Sequence, residues 1–209
     1  SFNGVIFHDD ATMSDYEDAS PDALKAYKKA GLPVELASIR ADEKKLQKWT
    51  ALKTQTIDDF SMELAQEIRY YQPFLMTARN MYAQVALSAY AENWYAQSLE
   101  RSLDHYDFTA IMAMPYMEQV EDKDQFFKDL VNRVSKYPNG LKKTVFEIQA
   151  VDWRNNNKVS SEEMAETFKS LYQQGALHVG YYPDNPFDNH PNPQILKAVF
   201  DTKPSGLIP

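Results

Sequence analysis

Five short apolar segments alternate with longer amphipathic stretches along this chain. The apolar segments are residues 4–7, 74–77, 109–114, 144–151 and 176–180. Runs of about four to eight apolar residues are typical of strands that are buried on both faces. We therefore predict five buried strands, in this order along the chain.

The stretches between the predicted strands favour helices at residues 42–71, 92–103, 123–134 and 160–174. In the first of these helices, apolar residues recur at close to the helical period, at Leu46, Trp49, Leu52, Ile57, Phe60, Leu64 and Ile68. Ser160 and Glu163 have the spacing of a capping box, and Gly175 is placed to end the last helix. Residues 183–193, which are rich in Pro and Asn, predict a loop.

Strands that alternate with helices indicate an α/β fold with a parallel sheet. Five such units are compatible with an open doubly wound sheet or with the last units of a barrel. No Gly-rich phosphate-binding turn follows a predicted strand, whereas polar and aromatic residues follow nearly every one. We therefore predict that residues 1–209 are the C-terminal part, about strands 4 to 8, of a (β/α)8 TIM-like barrel. Because five units cannot close such a barrel, we expect about three further units before Ser1.

Composition narrows the classes of function. The 209 residues carry a net charge of -8, and an acidic surface disfavours nucleic acid as a partner. The absence of cysteine excludes disulfides, thiol catalysis and cysteine-ligated zinc. No apolar run approaches the roughly 20 residues of a membrane span. These numbers agree best with a globular domain that binds a neutral or cationic ligand.

Chemically useful side chains follow the predicted strands. Three of them, His8, Asp9 and Asp10, follow the first strand, and the candidates after the other strands are Arg79, Asn80, Tyr82, Tyr116, Glu118, Asp152, Trp153, Tyr181, Tyr182 and Asp184. Because the carboxyl ends of parallel barrel strands meet on one face, these side chains are expected to share a cleft. Carboxyl groups, aromatic rings and hydroxyl-binding groups together indicate a carbohydrate site.

The carboxyl groups suit the cleavage of a glycosidic bond. The leaving oxygen needs a proton, and the transition state, which resembles an oxocarbenium ion, needs negative charge or a nucleophile nearby. We therefore assign catalysis to Asp9, Asp10 and Glu118, and substrate binding to the other candidates.

Each candidate also has a structural interpretation. The adjacent aspartates are compatible with a turn or a helix cap, His8 with a hydrogen-bonded structural role, and Asp152 with a cap on the next segment. Both tyrosines of the fifth strand end are compatible with packing at the barrel rim. The histidine and the two aspartates would also offer metal ligands. However, no second histidine lies nearby at ligand spacing, so no metal is predicted in this chain.

Several segments of the sequence are similar to a known family. They are residues 4–11 (GVIFHDDA), 14–20 (SDYEDAS), 77–80 (TARN), 94–97 (WYAQ) and 114–118 (MPYME). These segments resemble the PgaB family of poly-β-1,6-N-acetyl-D-glucosamine N-deacetylases, which serve bacterial biofilm export. The first segment is the most specific, and the resemblance runs over all 209 residues.

The resemblance implies a two-domain protein with an N-terminal metal-dependent deacetylase domain and a C-terminal barrel. In this family the barrel binds and hydrolyses the partly deacetylated polymer, and this chain resembles the barrel from its fourth strand onward. Asp9 and Asp10 match the acidic motif of that strand, and Glu118 lies where a further carboxylate is expected. No cofactor is implied for this chain, because the divalent metal belongs to the separate deacetylase domain.

The resemblance also implies partners and a location. The expected partners are the β-1,6-linked polysaccharide and the remaining N-terminal part of the same protein, with an outer-membrane export porin as a further candidate. The expected location is periplasmic, associated with the outer membrane through a lipid anchor outside this chain.

Three hypotheses remain open at this point. The chain belongs to an endo-glycosidase, to a binding module that guides the polymer toward export without cutting it, or to a purely structural half-barrel. For the glycosidase, paired aspartates resemble substrate-assisted hexosaminidases, in which one carboxylate orients the 2-acetamido group and the other protonates the leaving oxygen. A direct role of Glu118 as base or nucleophile is the alternative mechanism.

Overall fold

The computed structural model describes residues 2–201 of the chain. The chain divides into two compact units, Ser1–Asp107 and Phe108–Pro209. In both units strands alternate with helices, and the main strands pair in parallel with a neighbour of their own unit. Among the described residues, every helix is too short or too polar to serve as a membrane span.

The first unit contains two paired strands and a long helix. Strand β1 (Gly4–Phe7) and strand β2 (Met76–Tyr82) are parallel, with Gly4 opposite Met76 and Phe7 opposite Arg79. The helices of this unit are α1 (Pro21–Lys29), α2 (Leu36–Arg40), α3 (Glu43–Tyr71), α4 (Ala83–Leu87), α5 (Glu92–Tyr95) and α6 (Leu99–His105), with a 3-10 turn at Ala89–Ala91.

The second unit contains three parallel strands and a small ribbon. Strand β4 (Thr144–Gln149) lies between β3 (Phe108–Met112) and β7 (His178–Tyr182), and the ribbon is formed by β5 (Val151–Asp152) and β6 (Asn157–Lys158). The helices of this unit are α7 (Lys123–Ser135), α8 (Gly140–Lys143), α9 (Ser161–Gln173) and α10 (Pro193–Phe200), with a 3-10 turn at Pro186–Asp188.

The first predicted strand is confirmed, and the second is shifted toward the C-terminus. The prediction began at Phe74, whose side chain is 90% exposed, whereas β2 extends to Tyr82. The reason is that β2 buries polar side chains, namely Thr77, Arg79 and Asn80, which an apolar pattern does not detect. Arg79, Asn80 and Tyr82 therefore lie within a strand and not after it.

The other strand predictions differ from the structure by small shifts. The third and fifth strands were predicted at residues 109–114 and 176–180, and they lie at Phe108–Met112 and His178–Tyr182. The strand predicted at 144–151 is divided in the structure. Its main part, β4, ends at Gln149, and Val151 already belongs to the ribbon strand β5. Tyr181 and Tyr182 thus belong to β7, and Asp152 belongs to β5.

The helix predictions at 42–71, 123–134 and 160–174 are confirmed. Asp42 caps α3 by accepting a hydrogen bond from the Lys45 amide at 3.1 Å, and Ser160 caps α9 by accepting one from the Glu163 amide at 3.1 Å. Gly175 follows α9 with φ +105°, the left-handed backbone that glycine adopts readily.

The helix predicted at 92–103 is wrong as a single element. It breaks at Ala96, which has φ +48°, so that α5 and α6 are separate helices. Five helices, α1, α2, α4, α8 and α10, were not predicted. Ser20 followed by Pro21 is a usable start signal for α1, because the Ser20 side chain accepts from the Ala23 amide and Pro occupies the first turn.

Helices α1 and α2 pack against the N-terminal part of α3. Their shared apolar cluster consists of Tyr27, Leu32, Ile39, Leu46 and Trp49, and the rings of Tyr27 and Trp49 meet edge to face at 5.7 Å. The Tyr27 hydroxyl also donates to the Asp18 carbonyl at 3.0 Å. This cluster therefore supports residues 8–20, called the β1–α1 loop below.

An apolar face remains exposed on the first unit. Phe60, Leu64 and Tyr71 lie on one face of α3 and are 61%, 42% and 82% exposed, and Ile6 of β1 is 49% exposed. Exposed apolar surface of this kind marks a contact site. We expect the further units of the barrel to cover it, and the assembly with those units is called the completed barrel below.

We expect Leu64→Ala to lower the free energy of unfolding by about 1 kcal/mol more in the completed barrel than in this chain alone. The reason is that the part of the side chain that is exposed in this chain would be buried in the completed barrel. The measurement is urea unfolding of both proteins with and without the substitution. Tyr70→Ala is the control, since Tyr70 is 81% exposed on a different face of α3. Equal costs of Leu64→Ala in both proteins would refute the covering of this face.

Candidate active site

The His8-Asp9-Asp10 segment follows β1 directly and holds its two carboxyl groups differently. Asp9 is buried, with one oxygen 2.5 Å from His8 Nδ1 and the other accepting a hydrogen bond from the Tyr82 hydroxyl at 3.0 Å. The Asp10 side chain is 91% exposed, and its nearer oxygen lies 3.7 Å from His8 Nδ1. Asp9 is therefore an anchored carboxyl group, whereas Asp10 is open to a ligand.

Tyr82 is fixed on three sides at the end of β2. Its ring stacks on Tyr95 with centroids 4.2 Å apart, and its amide donates to Gln97 Oε1 at 3.2 Å. Burial, together with the hydrogen bond to Asp9, raises the pKa of Tyr82 to about 12. The hydroxyl consequently keeps its proton near neutral pH and acts as a donor to Asp9.

The residues that fix Tyr82 were not assigned to the site from the sequence. Tyr95 and Gln97 belong to the WYAQ segment, which was noted only as part of the family resemblance. The left-handed backbone at Ala96 turns the chain between them, so that both side chains reach Tyr82. Gln97 Nε2 is buried and has no hydrogen-bond partner within the described residues, which leaves its two N–H donors unused beside Tyr82.

Arg79 is directed at the β1–α1 loop and not at solvent. It is 2% exposed, and its guanidinium donates to the carbonyls of His8 at 2.6 Å, of Phe7 at 3.4 Å and of Ala11. Its neighbour Asn80 is 3% exposed. Direct substrate contact by these two residues stays a prediction, and their burial makes them part of the wall behind the aspartates.

In the second unit, Tyr116 is held by charged side chains. Its hydroxyl donates to Glu163 Oε1 at 2.6 Å, and Lys123 contacts both the hydroxyl and the ring, the latter at 3.7 Å from the centroid. The amide of Tyr116 donates to Gln149 Oε1 at 2.9 Å. Glu163 was predicted only as part of a capping box, and its carboxylate instead holds Tyr116 and Lys123.

Asp152 has the structural role that the sequence left open. It accepts hydrogen bonds from Arg154 Nε at 2.9 Å and Nη2 at 2.8 Å and from the Arg154 amide at 3.1 Å. These bonds lower the pKa of Asp152. The carboxylate closes the turn between β5 and β6, and a direct contact with substrate stays a prediction.

Two exposed rings form an aromatic surface in the second unit. Trp153 and Tyr182 are 41% and 50% exposed, with ring centroids 6.4 Å apart and an angle of 32° between the rings. Tyr181 is half-buried and donates to Asp184 at 3.3 Å, and burial raises the pKa of Tyr181. Rings in this arrangement offer faces on which the C–H groups of a sugar can stack.

Glu118 lies in the turn after β3. It is half-buried, and its amide donates to the Met114 carbonyl at 3.0 Å. The predicted residues thus fall in both units, with the aspartates and Tyr82 in the first and Glu118, Trp153 and Tyr182 in the second. Their convergence on one face of the barrel stays a prediction.

The His8-Asp9-Asp10 segment also has the spacing of a cation site. Each of the three residues offers one ligand atom, and these atoms lie within 4.8 Å of one another. Asp9, however, already shares its oxygens with His8 and Tyr82. The segment can therefore serve as an acid pair or as a set of metal ligands, and these two chemistries are separable by experiment.

Comparison with known proteins places the chain among glycoside hydrolases. The model of the hypothetical glycosyl hydrolase family 13 matches residues 1–182. A solved structure, the glycoside hydrolase domain of PgaB (BpsB) from Bordetella bronchiseptica, is 42% identical with a TM-score of 0.90, over 95% of this chain and 56% of that one. This likeness confirms the predicted fold, the C-terminal part of a (β/α)8-type barrel.

Two curated relatives are longer proteins. The poly-beta-1,6-N-acetyl-D-glucosamine N-deacetylases of Escherichia coli strain K12 and of Escherichia coli O157:H7 are each 38% identical over 208 residues, which is 97% of this chain. The chain spans only 31% of the length of each relative. On the family match over residues 1–182, the chain belongs to the hypothetical glycosyl hydrolase family 13, and it is similar to the PgaB glycoside hydrolase domain.

Proposed function

We propose that the chain forms part of an endo-acting glycoside hydrolase barrel that cuts partly deacetylated poly-β-1,6-N-acetyl-D-glucosamine. The observation that carries this proposal is the pair of aspartates at the end of β1, one anchored and one open. The substrate class rests on the names of the relatives, since the curated ones are deacetylases of this polymer. The reaction class rests on the family and on the solved hydrolase domain.

The different surroundings of the aspartates favour different roles. Asp10 is exposed and is the better candidate to reach the glycosidic oxygen, to which it would give a proton as the bond to the anomeric carbon breaks. Asp9 is held by Tyr82 and His8 and is the better candidate to orient the 2-acetamido group or to stabilise positive charge at the anomeric carbon. The attack on that carbon comes from the acetamido oxygen, from Glu118 or from water.

The Trp153–Tyr182 surface supports sugar binding in either of the two leading hypotheses. A binding module that guides the polymer needs these rings far more than it needs the carboxyl groups. Within residues 2–201 no Lys or Arg forms an ion pair with Asp9 or Asp10, and carboxyl groups left available for chemistry favour the hydrolase. The binding module remains the second candidate, supported by the exposure of Trp153 and Tyr182.

The rest of the protein is a further part of the proposal. The names of the curated relatives support a protein that also removes N-acetyl groups from the polymer. The divalent metal that the resemblance implies would lie in that other domain. The partners would then be the polysaccharide, the N-terminal part of the same protein and an outer-membrane export porin. The location would be the periplasm, at the outer membrane through a lipid anchor.

The deciding experiment is product analysis with the completed barrel. Defined β-1,6-linked oligomers with known acetylation are incubated with it, and the products are separated and sized by mass spectrometry. Internal cleavage of partly deacetylated oligomers supports the hydrolase. Binding without any cleavage, across all acetylation patterns, overturns the hydrolase in favour of the binding module.

We expect EDTA to leave cleavage by the completed barrel unchanged, because the proposed reaction uses carboxyl groups and not a metal ion. The assay follows cleavage of the oligomer and is carried out without the deacetylase domain, whose metal would complicate the result. Loss of cleavage that a divalent cation restores would instead identify His8, Asp9 and Asp10 as metal ligands.

A further inference from the structure

Two buried cations face the β1–α1 loop from different elements. Arg79 lies on β2 and Lys53 on α3, and both are 2% exposed. Lys53 was predicted only as part of a helix, and no candidate site includes it. Fully buried Lys and Arg side chains are rare unless they are paired. The burial of these two side chains therefore needs to be explained by their partners.

Both cations bind backbone carbonyls of one continuous segment. Lys53 Nζ donates to the carbonyls of Ser14 at 2.5 Å and Glu17 at 2.9 Å, and it lies 3.8 Å from the centroid of the Trp49 ring. Arg79 donates to the carbonyls of Phe7, His8 and Ala11. Two of these five carbonyls precede Asp9 and Asp10 in the sequence, and the other three follow them.

The burial of these charges is costly. Burial lowers the pKa of Arg79, and it lowers the pKa of Lys53 to about 8. Within residues 2–201, no Asp or Glu oxygen lies within 4.0 Å of either cation to form an ion pair. The acidic groups whose charge favours protonated Lys53 are Asp15 and Glu17, and both belong to the same loop.

A buried charge without an ion pair usually contributes less to stability than a well-packed apolar side chain would. Here the compensating groups are the carbonyl dipoles of the loop, so the cations are satisfied only while the loop keeps its conformation. The same contacts fix the backbone from which both aspartates project. Order in the loop and the burial of the two cations are therefore coupled.

We propose that Arg79 and Lys53 are positioning residues that clamp the β1–α1 loop by its carbonyl oxygens and thereby hold Asp9 and Asp10 in place. In this role both residues act through the backbone of the loop. The effect on cleavage rests on the proposed function, whereas the effect on the loop does not.

The first test measures the loop itself in the completed barrel by amide hydrogen exchange. The reporter amides are Thr12, Met13 and Glu17, which donate to the carbonyls of Asp10, Tyr95 and Ser14. In Lys53→Met we expect these amides to exchange about tenfold faster, as for local opening of a segment. Lys53→Arg, which keeps a buried donor, should retain most of the protection, and Lys48→Met, an exposed position on the same helix, should retain all of it.

The second test separates positioning from general stability. In Lys53→Met we expect kcat to fall about tenfold with KM changed less than about twofold, because misplaced acid groups slow chemistry more than they weaken binding. Lys53→Arg should restore kcat. A structural defect alone would lower the active fraction and would not be rescued in this specific way.

The outcomes are distinguishable. Unchanged exchange in folded Lys53→Met overturns the clamp, and so does equal loss of protection in Lys53→Arg and Lys53→Met. If Lys53→Met does not fold, Arg79→Lys is the second variant, since it keeps the charge but loses donors, and unchanged exchange at Thr12 in that variant overturns the clamp. If the wild-type barrel never cuts an oligomer, the proposed function fails while the exchange result still decides the clamp.

Discussion

Asp10→Asn in the completed barrel is expected to lower the cleavage of partly deacetylated β-1,6-glucosamine oligomers by about a thousandfold while binding remains nearly unchanged. An amide cannot donate the proton that the glycosidic oxygen requires. It has almost the size of the carboxylic acid, however, so the contacts of the bound sugar are kept. The Asp10 side chain is 91% exposed, which makes a folding defect an unconvincing explanation of the loss.

Two further substitutions distinguish the roles within the site. Asp9→Asn also abolishes cleavage if Asp9 orients the acetamido group, and it removes the charge that the Tyr82 hydroxyl contacts. Glu118→Gln lowers turnover sharply only if Glu118 is the second carboxylate of a direct displacement. Intact turnover in Glu118→Gln together with loss in both aspartate variants would therefore favour substrate assistance.

The measurement is product formation over time, with binding followed separately by calorimetry. Asp22→Asn is the matched control, because the Asp22 side chain is also 91% exposed and lies on α1 of the same unit. Cleavage that persists in Asp9→Asn, Asp10→Asn and Glu118→Gln alike would show that the catalytic assignment is wrong.

Trp153→Ala is expected to weaken oligomer binding by about 1–3 kcal/mol, which is roughly fivefold to 150-fold in affinity. Trp153 is 41% exposed beside Tyr182, so its free face can stack on a sugar ring without any rearrangement of the core. Since the substitution removes no carboxyl group, kcat at saturating substrate should change much less than affinity does.

Calorimetry with a β-1,6-glucosamine oligomer measures this loss. Trp94→Ala is the control, because Trp94 is 45% exposed and has a ring neighbour, Tyr90, but lies outside the predicted cleft. Unchanged affinity in folded Trp153→Ala would remove Trp153 from the site. Equal losses in both tryptophan variants would indicate general contact with the polymer and not a defined cleft.

The sequence by itself was sufficient for the order of the main elements and for the position of the acidic segment. Apolar runs with helical stretches between them predicted the α/β class, and the cap at Ser160 and the turn at Gly175 were found where they were expected. These features depend on neighbours within a few positions along the chain, and local spacing records them directly.

Local patterns did not predict the full extent of the second strand or the break between α5 and α6. Strand β2 buries Thr77, Arg79 and Asn80, whose polar groups find partners that lie far away in sequence, such as Asp107 for Thr77. A polar side chain can be buried when it has a hydrogen-bond partner, and that partner cannot be found from the residue type. A search for apolar runs therefore misses part of such a strand. The break at Ala96 likewise places Tyr95 and Gln97 around Tyr82.

Some features of the candidate site were likewise predictable from the sequence, and others depend on the tertiary structure. The sequence alone placed His8, Asp9 and Asp10 together after a strand, because three consecutive residues cannot be separated by folding. Only the tertiary structure decided that Asp9 is anchored and Asp10 open, and that Arg79 and Lys53 are directed at the backbone behind them. These contacts join residues 36 to 73 positions apart, and their geometry depends on strand pairing and helix packing that no local pattern specifies.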